Sequence, residues 1–202
     1  MIWTVCGTKG GIGKTTTAVA LAYEANSQGH HVAILDVDPQ GSAFAWCHDL
    51  AIHRPDLNSP GAITALEAEL GGTLIVDVPP GAASQAIAAI EAADIVIATT
   101  GLGPLDIEGL EHLISIVDPN IIVPVRWDKR RQLHSYALRA LADRYGTIVS
   151  PAIPQSASVE WSQAEQDPLP TLSTPAIAYR EVLAMIFNIE SQLADQPPRP
   201  AA

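Results

Sequence analysis

The segment Thr8-Lys9-Gly10-Gly11-Ile12-Gly13-Lys14-Thr15 restricts the fold of this chain more than any other. It follows an apolar run, Ile2-Trp3-Thr4-Val5-Cys6, and leads into the helix-like stretch Thr16-Thr17-Ala18-Val19-Ala20-Leu21-Ala22-Tyr23. A strand, a glycine-rich turn and a helix in that order build a phosphate cradle. The N–H groups of the turn and the positive end of the helix point at one spot. Glycine lets the main chain approach phosphate closely and adopt positive φ without strain. In such a loop Lys14 lies along the β- and γ-phosphates and the Thr15 hydroxyl ligates Mg²⁺. The general pattern has glycine where this chain has Thr8, and an extra lysine, Lys9, precedes the glycines.

Apolar runs then alternate with stretches of helical period. The predicted strands are Ile2–Cys6, Val32–Asp36, Thr73–Val78, Asp94–Thr99, Ile121–Arg126 and Thr147–Ile153. Their nearly continuous Val/Ile character suits burial on both faces. The predicted helices are Lys14–Gln28, Ser42–Leu50, Ala62–Leu70, Ala82–Ala92, Pro104–Asp118, Gln132–Tyr145, Ser156–Gln166 and Pro175–Leu193. This order predicts an α/β fold: a mainly parallel twisted sheet with helices on both faces, binding its ligand at the carboxyl ends of the strands. The last helix has Thr174 as expected N-cap and Pro175 at its first position. Its stripe of Ile177, Val182, Leu183, Ile186, Ile189 and Leu193 reads as core packing.

The chain has 202 residues, which predicts one domain over 1–194 and a disordered Pro-rich tail over 195–202. The 48% hydrophobic content suffices for a sizeable core, and no apolar run reaches the length of a membrane span. No basic region precedes an apolar one at the start, so no signal peptide is expected. Cys6 and Cys47 form no CxxC, and a reducing cytosol without a disulfide is expected. The six histidines show no metal-ligand spacing and read as surface or capping groups.

The net charge of −11 is uneven. Residues 1–125 carry three basic side chains, whereas 126–144 carry six: Arg126, Lys129, Arg130, Arg131, Arg139 and Arg144. An acidic body with one basic segment points to a local anionic partner, although a solvated helix face has the same composition.

Two further segments end in carboxylates. Val32-Ala33-Ile34-Leu35-Asp36-Val37-Asp38-Pro39-Gln40 is a strand closing on two aspartates that share one face. Paired carboxylates beside a phosphate loop call for a cation, and Mg²⁺ supplies it. Leu74-Ile75-Val76-Asp77-Val78-Pro79-Pro80-Gly81 is an apolar strand ending in Asp77.

Lys9-Gly10-Gly11-Ile12-Gly13-Lys14-Thr15 resembles the deviant Walker A motif of the ParA/MinD family of ATPases, and the chain is most like the short ParA-type plasmid partition proteins. The resemblance spans about residues 1–190 and implies a P-loop NTPase fold with ATP and Mg²⁺ as cofactors. It implies that Lys9 reaches the phosphates of a partner subunit across an ATP-bound sandwich dimer, so that it acts in trans with Lys14 and Asp38 in catalysis. The implied ATP contacts are Lys9, Gly10, Gly11, Ile12, Gly13, Lys14, Thr15 and Thr16, with Arg126, Pro154 and Gln155 at the base. Asp36 and Asp77 are expected to hold Mg²⁺ through water, alongside Thr15. Asp38 is expected to position the attacking water, and Pro79-Pro80-Gly81 to act as a γ-phosphate-sensing switch loop. Pro104-Leu105-Asp106 is similar to a sequence common in ParA proteins, with Asp106 supporting the dimer face. Relatives often carry a glycine where this chain has Gln166.

Such proteins hydrolyse ATP weakly alone. DNA and a centromere-binding or adaptor protein stimulate them, and the ATP-bound dimer binds DNA without sequence preference. The implied DNA patch is Lys129, Arg130, Arg131, Arg139 and Arg144, and the implied location is cytoplasmic and nucleoid-associated. The alternatives are nucleoid-based positioning of another cargo, a MinD-like membrane cycle and an ATP-dependent synthetase on the same scaffold. The acidic residues of the last helix, Glu181, Glu190 and Asp195, speak against a membrane partner. The synthetases lack an equivalent of Lys9.

Overall fold

A computed structural model describes residues 1–81 and 83–195. Among them six strands form one wholly parallel sheet in the order β3-β2-β4-β1-β5-β6. The strands are β1 (Ile2–Cys6), β2 (Val32–Asp36), β3 (Ala51–His53), β4 (Thr73–Asp77), β5 (Ile95–Thr100) and β6 (Ile121–Pro124). The helices are α1 (Lys14–Ser27), α2 (Ser42–Trp46), α3 (Pro60–Leu70), α4 (Ser84–Ala92), α5 (Pro104–Ile114), α6 (Gln132–Tyr145), α7 (Ala157–Glu165) and α8 (Thr174–Ala194).

Strand alternation sorts side chains into two cores. Trp3, Val5, Ile75, Ile95, Ile97 and Val123 join α1, α2 and α8 on one face. Ile2, Cys6, Leu74, Val76, Val96 and Ile122 join α3 to α6 on the other. Both cysteines are buried and free, and burial pushes each thiol up to about 12. No described helix is long and apolar enough to cross a membrane.

The register sets the site. Asp36 pairs with Asp77 across β2 and β4, and Val5 pairs with Asp77 across β1 and β4. The phosphate loop and both carboxylate-bearing strand ends therefore leave the sheet at one level. From β1 the chain turns toward β2 and from the adjacent β4 it turns the other way, to β5, and this divergence opens the crevice between them.

Several boundaries differ from expectation. The predicted strand Thr147–Ile153 is instead a 3₁₀ turn, Gly146–Ile148, followed by an irregular segment beside β6. That segment makes only isolated bridges, Ile122 with Val149 and Trp127 with Pro154. Pro151 and Pro154 lack N–H donors, so no regular ladder forms. Ser150 and Ile153 still donate to Ile122 and Pro124 at 2.9 and 2.8 Å. β3 was not anticipated: α2 stops at Trp46, and three residues, Ala51–His53, add an edge strand where helix was expected up to Leu50. The helix expected from Ala82 begins at Ser84, and Ala82 itself lies outside the described residues. The N-cap of α8 is Ser173 rather than Thr174. The Ser173 hydroxyl accepts from the Ala176 N–H, which moves Pro175 to the second position. Val182, Leu183 and Ile186 are fully buried as expected, whereas Ile177 is exposed. Residues 196–202 of the expected tail lie outside the described residues.

Candidate nucleotide site

Gly13 caps α1 with φ +80°, a left-handed conformation that a side chain disfavours. A Cβ there would also meet Val125 at 3.1 Å, so glycine is required twice over. The loop opens into a cavity of about 390 Å³, in the range of small-molecule sites. Gly10, Gly11, Gly13, Lys14, Thr15 and Thr16 line one end and Asp38 faces it, while Arg126, Pro154 and Gln155 line the other. Lys9, Ile12, Asp36 and Asp77 do not line it. Ile12 is buried beneath the loop.

The two lysines part company. Lys14 is buried, and its Nζ donates to the Lys9 carbonyl at 3.1 Å. Burial lowers its affinity for a proton, while Asp77 and Asp38 oppose that shift. Lys9 leaves the cavity altogether: its Nζ donates to the Leu105 carbonyl at 2.6 Å and lies 3.4 Å from Asp106 Oδ1. The Lys9 side chain is 42% exposed. Asp106 therefore holds the lysine of its own chain at the start of α5.

The Thr15 hydroxyl donates to Asp77 Oδ2 at 2.7 Å. Asp77 Oδ1 is buried and finds no partner among the described residues. Burial pushes the carboxyl up to about 7; Thr15 and Lys14 pull it down, and Asp36 and Asp38 push it further up. A buried carboxylate oxygen without a donor, beside a threonine hydroxyl at the phosphate end, fits a water-coated divalent cation. No cluster of three or more His, Cys, Asp or Glu suited to a metal occurs among the described residues. Asp36, expected to hold Mg²⁺ through water, also bonds to the main chain. Its Oδ1 accepts from Asp38 N–H at 3.1 Å, and its Oδ2 accepts from Ala43 and Phe44 N–H at 2.9 and 3.0 Å. These bonds make Asp36 cap α2 and fix the turn carrying Asp38, while Oδ1, with one bond, keeps acceptor capacity for a water.

At the end lined by Arg126, Pro154 and Gln155 the structure adds residues that sequence reasoning missed. Val159, Glu160 and Gln163 of α7 and Tyr179 of α8 line the cavity. Ser156, Val159, Glu160 and Gln163 share one face at helical spacing, the one signal the sequence held for them. The Tyr179 hydroxyl pairs with that of Thr17 at 3.1 Å, just beyond the phosphate loop. Arg126 takes φ +57°, and Gln166 takes φ +58° at the end of α7. Gln166 thus adopts a left-handed conformation that favours glycine, and its amide donates to the Ala45 carbonyl at 2.7 Å. Trp127 is half-buried and packs against the second core.

Two arginines of the basic segment are held by carboxylates. Arg130 is engaged by Asp128 through two guanidinium contacts of 3.0 Å, and these bonds hold the Asp128 carboxyl down at about 2. Arg144 pairs with Glu111 of α5. Five residues separate Arg139 from Arg144, about 140° around a helix, so the two diverge. Among the described residues no ion pair engages Lys129, Arg131 or Arg139, which are exposed. His134, expected at the surface or in a cap, is buried, and its Nδ1 accepts from the Asp128 N–H at 3.1 Å.

Residues 3–169 match the model of the CobQ/CobB/MinD/ParA nucleotide binding domain. The chain belongs to that family. It is 41% identical over 106 residues to the maintenance of carboxysome distribution protein A of Gloeobacter kilaueensis. That match covers 49% of this chain and 48% of the relative, so the chain spans about half the length of that curated protein. In structure it resembles the septum site-determining protein MinD of Pyrococcus horikoshii, complexed with Mg-ADP. The TM-score is 0.75 at 15% identity, covering 96% of this chain and 99% of the other. It also resembles a plasmid partition protein of Borrelia burgdorferi, with TM-score 0.68 at 16% identity, covering 93% and 97%. The shared architecture is the parallel sheet flanked by helices.

Proposed function

We propose that this protein is an ATP- and Mg²⁺-dependent dimerising switch that hydrolyses ATP and uses the cycle to distribute a cargo over DNA. One observation carries the reading: one loop sends Lys14 into the cavity and Lys9 out of it. A single subunit needs Lys14 for its own nucleotide. Lys9, half-exposed at the start of α5, is placed to serve a second copy. A cation that arrives only on closure supplies charge stabilisation to the departing phosphoryl group at that moment.

In this reading the backbone from Gly10 to Thr16 and the Lys14 ammonium hold the phosphates. Thr15 and Asp77 hold Mg²⁺, which neutralises charge on the phosphate oxygens. Asp38 orients the attacking water, and Arg126, Pro154 and Gln155 meet the base. Closure moves Lys9 from Leu105 and Asp106 to the partner's phosphates, and Pro79-Pro80-Gly81 responds to the γ-phosphate. Lys129, Arg131 and Arg139 provide nonspecific DNA contact, doubled by dimerisation. Phosphate contacts of this kind are sensitive to salt.

The cargo is a plasmid or another body positioned over the nucleoid. The 41% identity to a carboxysome distribution protein supports the second reading, and the plasmid partition likeness supports the first. Hydrolysis and pelleting assays with DNA, with liposomes and with neither test the proposal. We expect ATP-dependent retention on DNA and faster turnover with it. Liposome pelleting without DNA retention would replace this reading with a membrane cycle.

A further inference from the structure

Asp38 sits in a turn whose main chain is held from both sides. Its N–H donates to Asp36 Oδ1 at 3.1 Å. Its carbonyl oxygen accepts from the Gly41 N–H at 2.9 Å and from His53 Nε2, 3.0 Å away. A carbonyl only accepts, so His53 Nε2 carries a proton in this contact. Asp38 lines the nucleotide cavity, and its Oδ1 accepts from the Gln40 N–H at 2.9 Å.

His53 reaches this turn from the end of β3, the edge strand. The register places it directly beside Asp36 of β2. Its ring stacks on Phe44 with centroids 6.0 Å apart and planes 23° apart. The ring also occupies the space beside Gly41, where a Cβ would meet it at 3.3 Å. Gly41 has φ +63°, so the turn both needs glycine for its conformation and leaves the imidazole room.

We propose that His53 is a positioning residue for hydrolysis: from the edge strand it locks the Asp38 carbonyl, so that the carboxylate points at the attacking water. The inference rests on the ATPase reading above. His53 touches neither phosphate nor water in this role; it acts through the main chain of Asp38. Orientation errors of about 1 Å cost on the order of a hundredfold in rate, so such a clamp has kinetic consequences.

The test measures phosphate release by the full chain at saturating ATP and Mg²⁺ with double-stranded DNA, in wild type, His53→Ala, His53→Gln and each combined with Asp38→Asn. We expect His53→Ala to lower kcat on the order of tenfold or more with KM for ATP little changed. His53→Gln, whose amide N–H reaches the same carbonyl, recovers most of that loss, and its fold state by thermal melting checks that of the alanine variant. In the Asp38→Asn background the His53 change adds nothing, because the two act as one unit. Wild-type kcat in a folded His53→Ala protein overturns the inference alone, as does an undiminished further loss in the Asp38→Asn background. A wild-type protein that binds ATP but releases no phosphate overturns both the inference and the ATPase reading.

Discussion

The two ends of the nucleotide cavity are built on different principles. The phosphate end is assembled from one contiguous loop, Gly10 to Thr16, and from strand ends that the parallel register brings level. The opposite end, which we propose takes the base, is assembled from the segment after β6, an irregular segment, one face of α7 and a tyrosine of α8, which lie far apart in sequence. Phosphate is recognised by main-chain N–H groups and a helix terminus, a local geometry that a short glycine-rich motif encodes outright. A base is recognised by side chains that meet only when the whole sheet has formed. The first kind of site is legible in eight residues; the second is legible only after folding.

The largest expected effect falls at the phosphate end. Lys14→Ala removes the buried ammonium from the cavity and is expected to weaken ATP binding on the order of a hundredfold, read by equilibrium binding of a fluorescent ATP analogue. At the base end Arg126→Ala is expected to cost only about tenfold, since it removes one group from a shared, half-open set of contacts. Equal losses at the two ends would break the contrast.

Particular elements show where sequence reading stops. The order of strands and helices followed from apolar periodicity, and Asp36, Asp38 and Asp77 were recognisable at strand ends. Their division of labour was not. The sequence shows Asp36 only as a carboxylate expected to order the cation's waters; that three main-chain N–H groups also bond to it follows from α2 beginning beside it. β3 escaped notice because three residues carry too little pattern. Thr147–Ile153 read as a strand because composition says nothing of whether a proline's missing donor interrupts the ladder. The basic segment looked like a single patch, but Asp128 and Glu111, one adjacent and one on another helix, take two of its arginines.

A smaller effect sharpens the description of the base-end support. Burial, with help from Arg131, lowers the proton affinity of His134, whose Nδ1 must stay unprotonated to accept from Asp128 N–H. A group whose proton affinity falls on folding contributes stability above its unfolded value of 6.5, and that stability is lost as pH falls through its folded value. The melting temperature of wild type is therefore expected to drop between about pH 7.5 and about pH 5 through this group. His134→Asn, which keeps an acceptor that cannot titrate, flattens that part of the profile. An unchanged slope would show that the buried imidazole is not the cause.

The smallest effect concerns Gln166. Gln166→Ala keeps the positive φ at the end of α7 and deletes the bond to the Ala45 carbonyl. A loss of about 1 kcal/mol in denaturant unfolding is expected, with the phosphate end unaffected in ATP binding. A loss of nucleotide affinity comparable to that of Lys14→Ala would mean that the two ends are not separable.

The central claim is that two copies close on ATP, with Lys9 leaving Asp106 to complete the partner's site. Light scattering on the purified chain with saturating ATP and Mg²⁺, in the Asp38→Ala background that blocks hydrolysis, tests it most directly. The mass should rise from 21.3 kDa to twice that value with ATP and stay at 21.3 kDa with ADP. A protein that binds ATP and remains at the monomer mass would contradict the account.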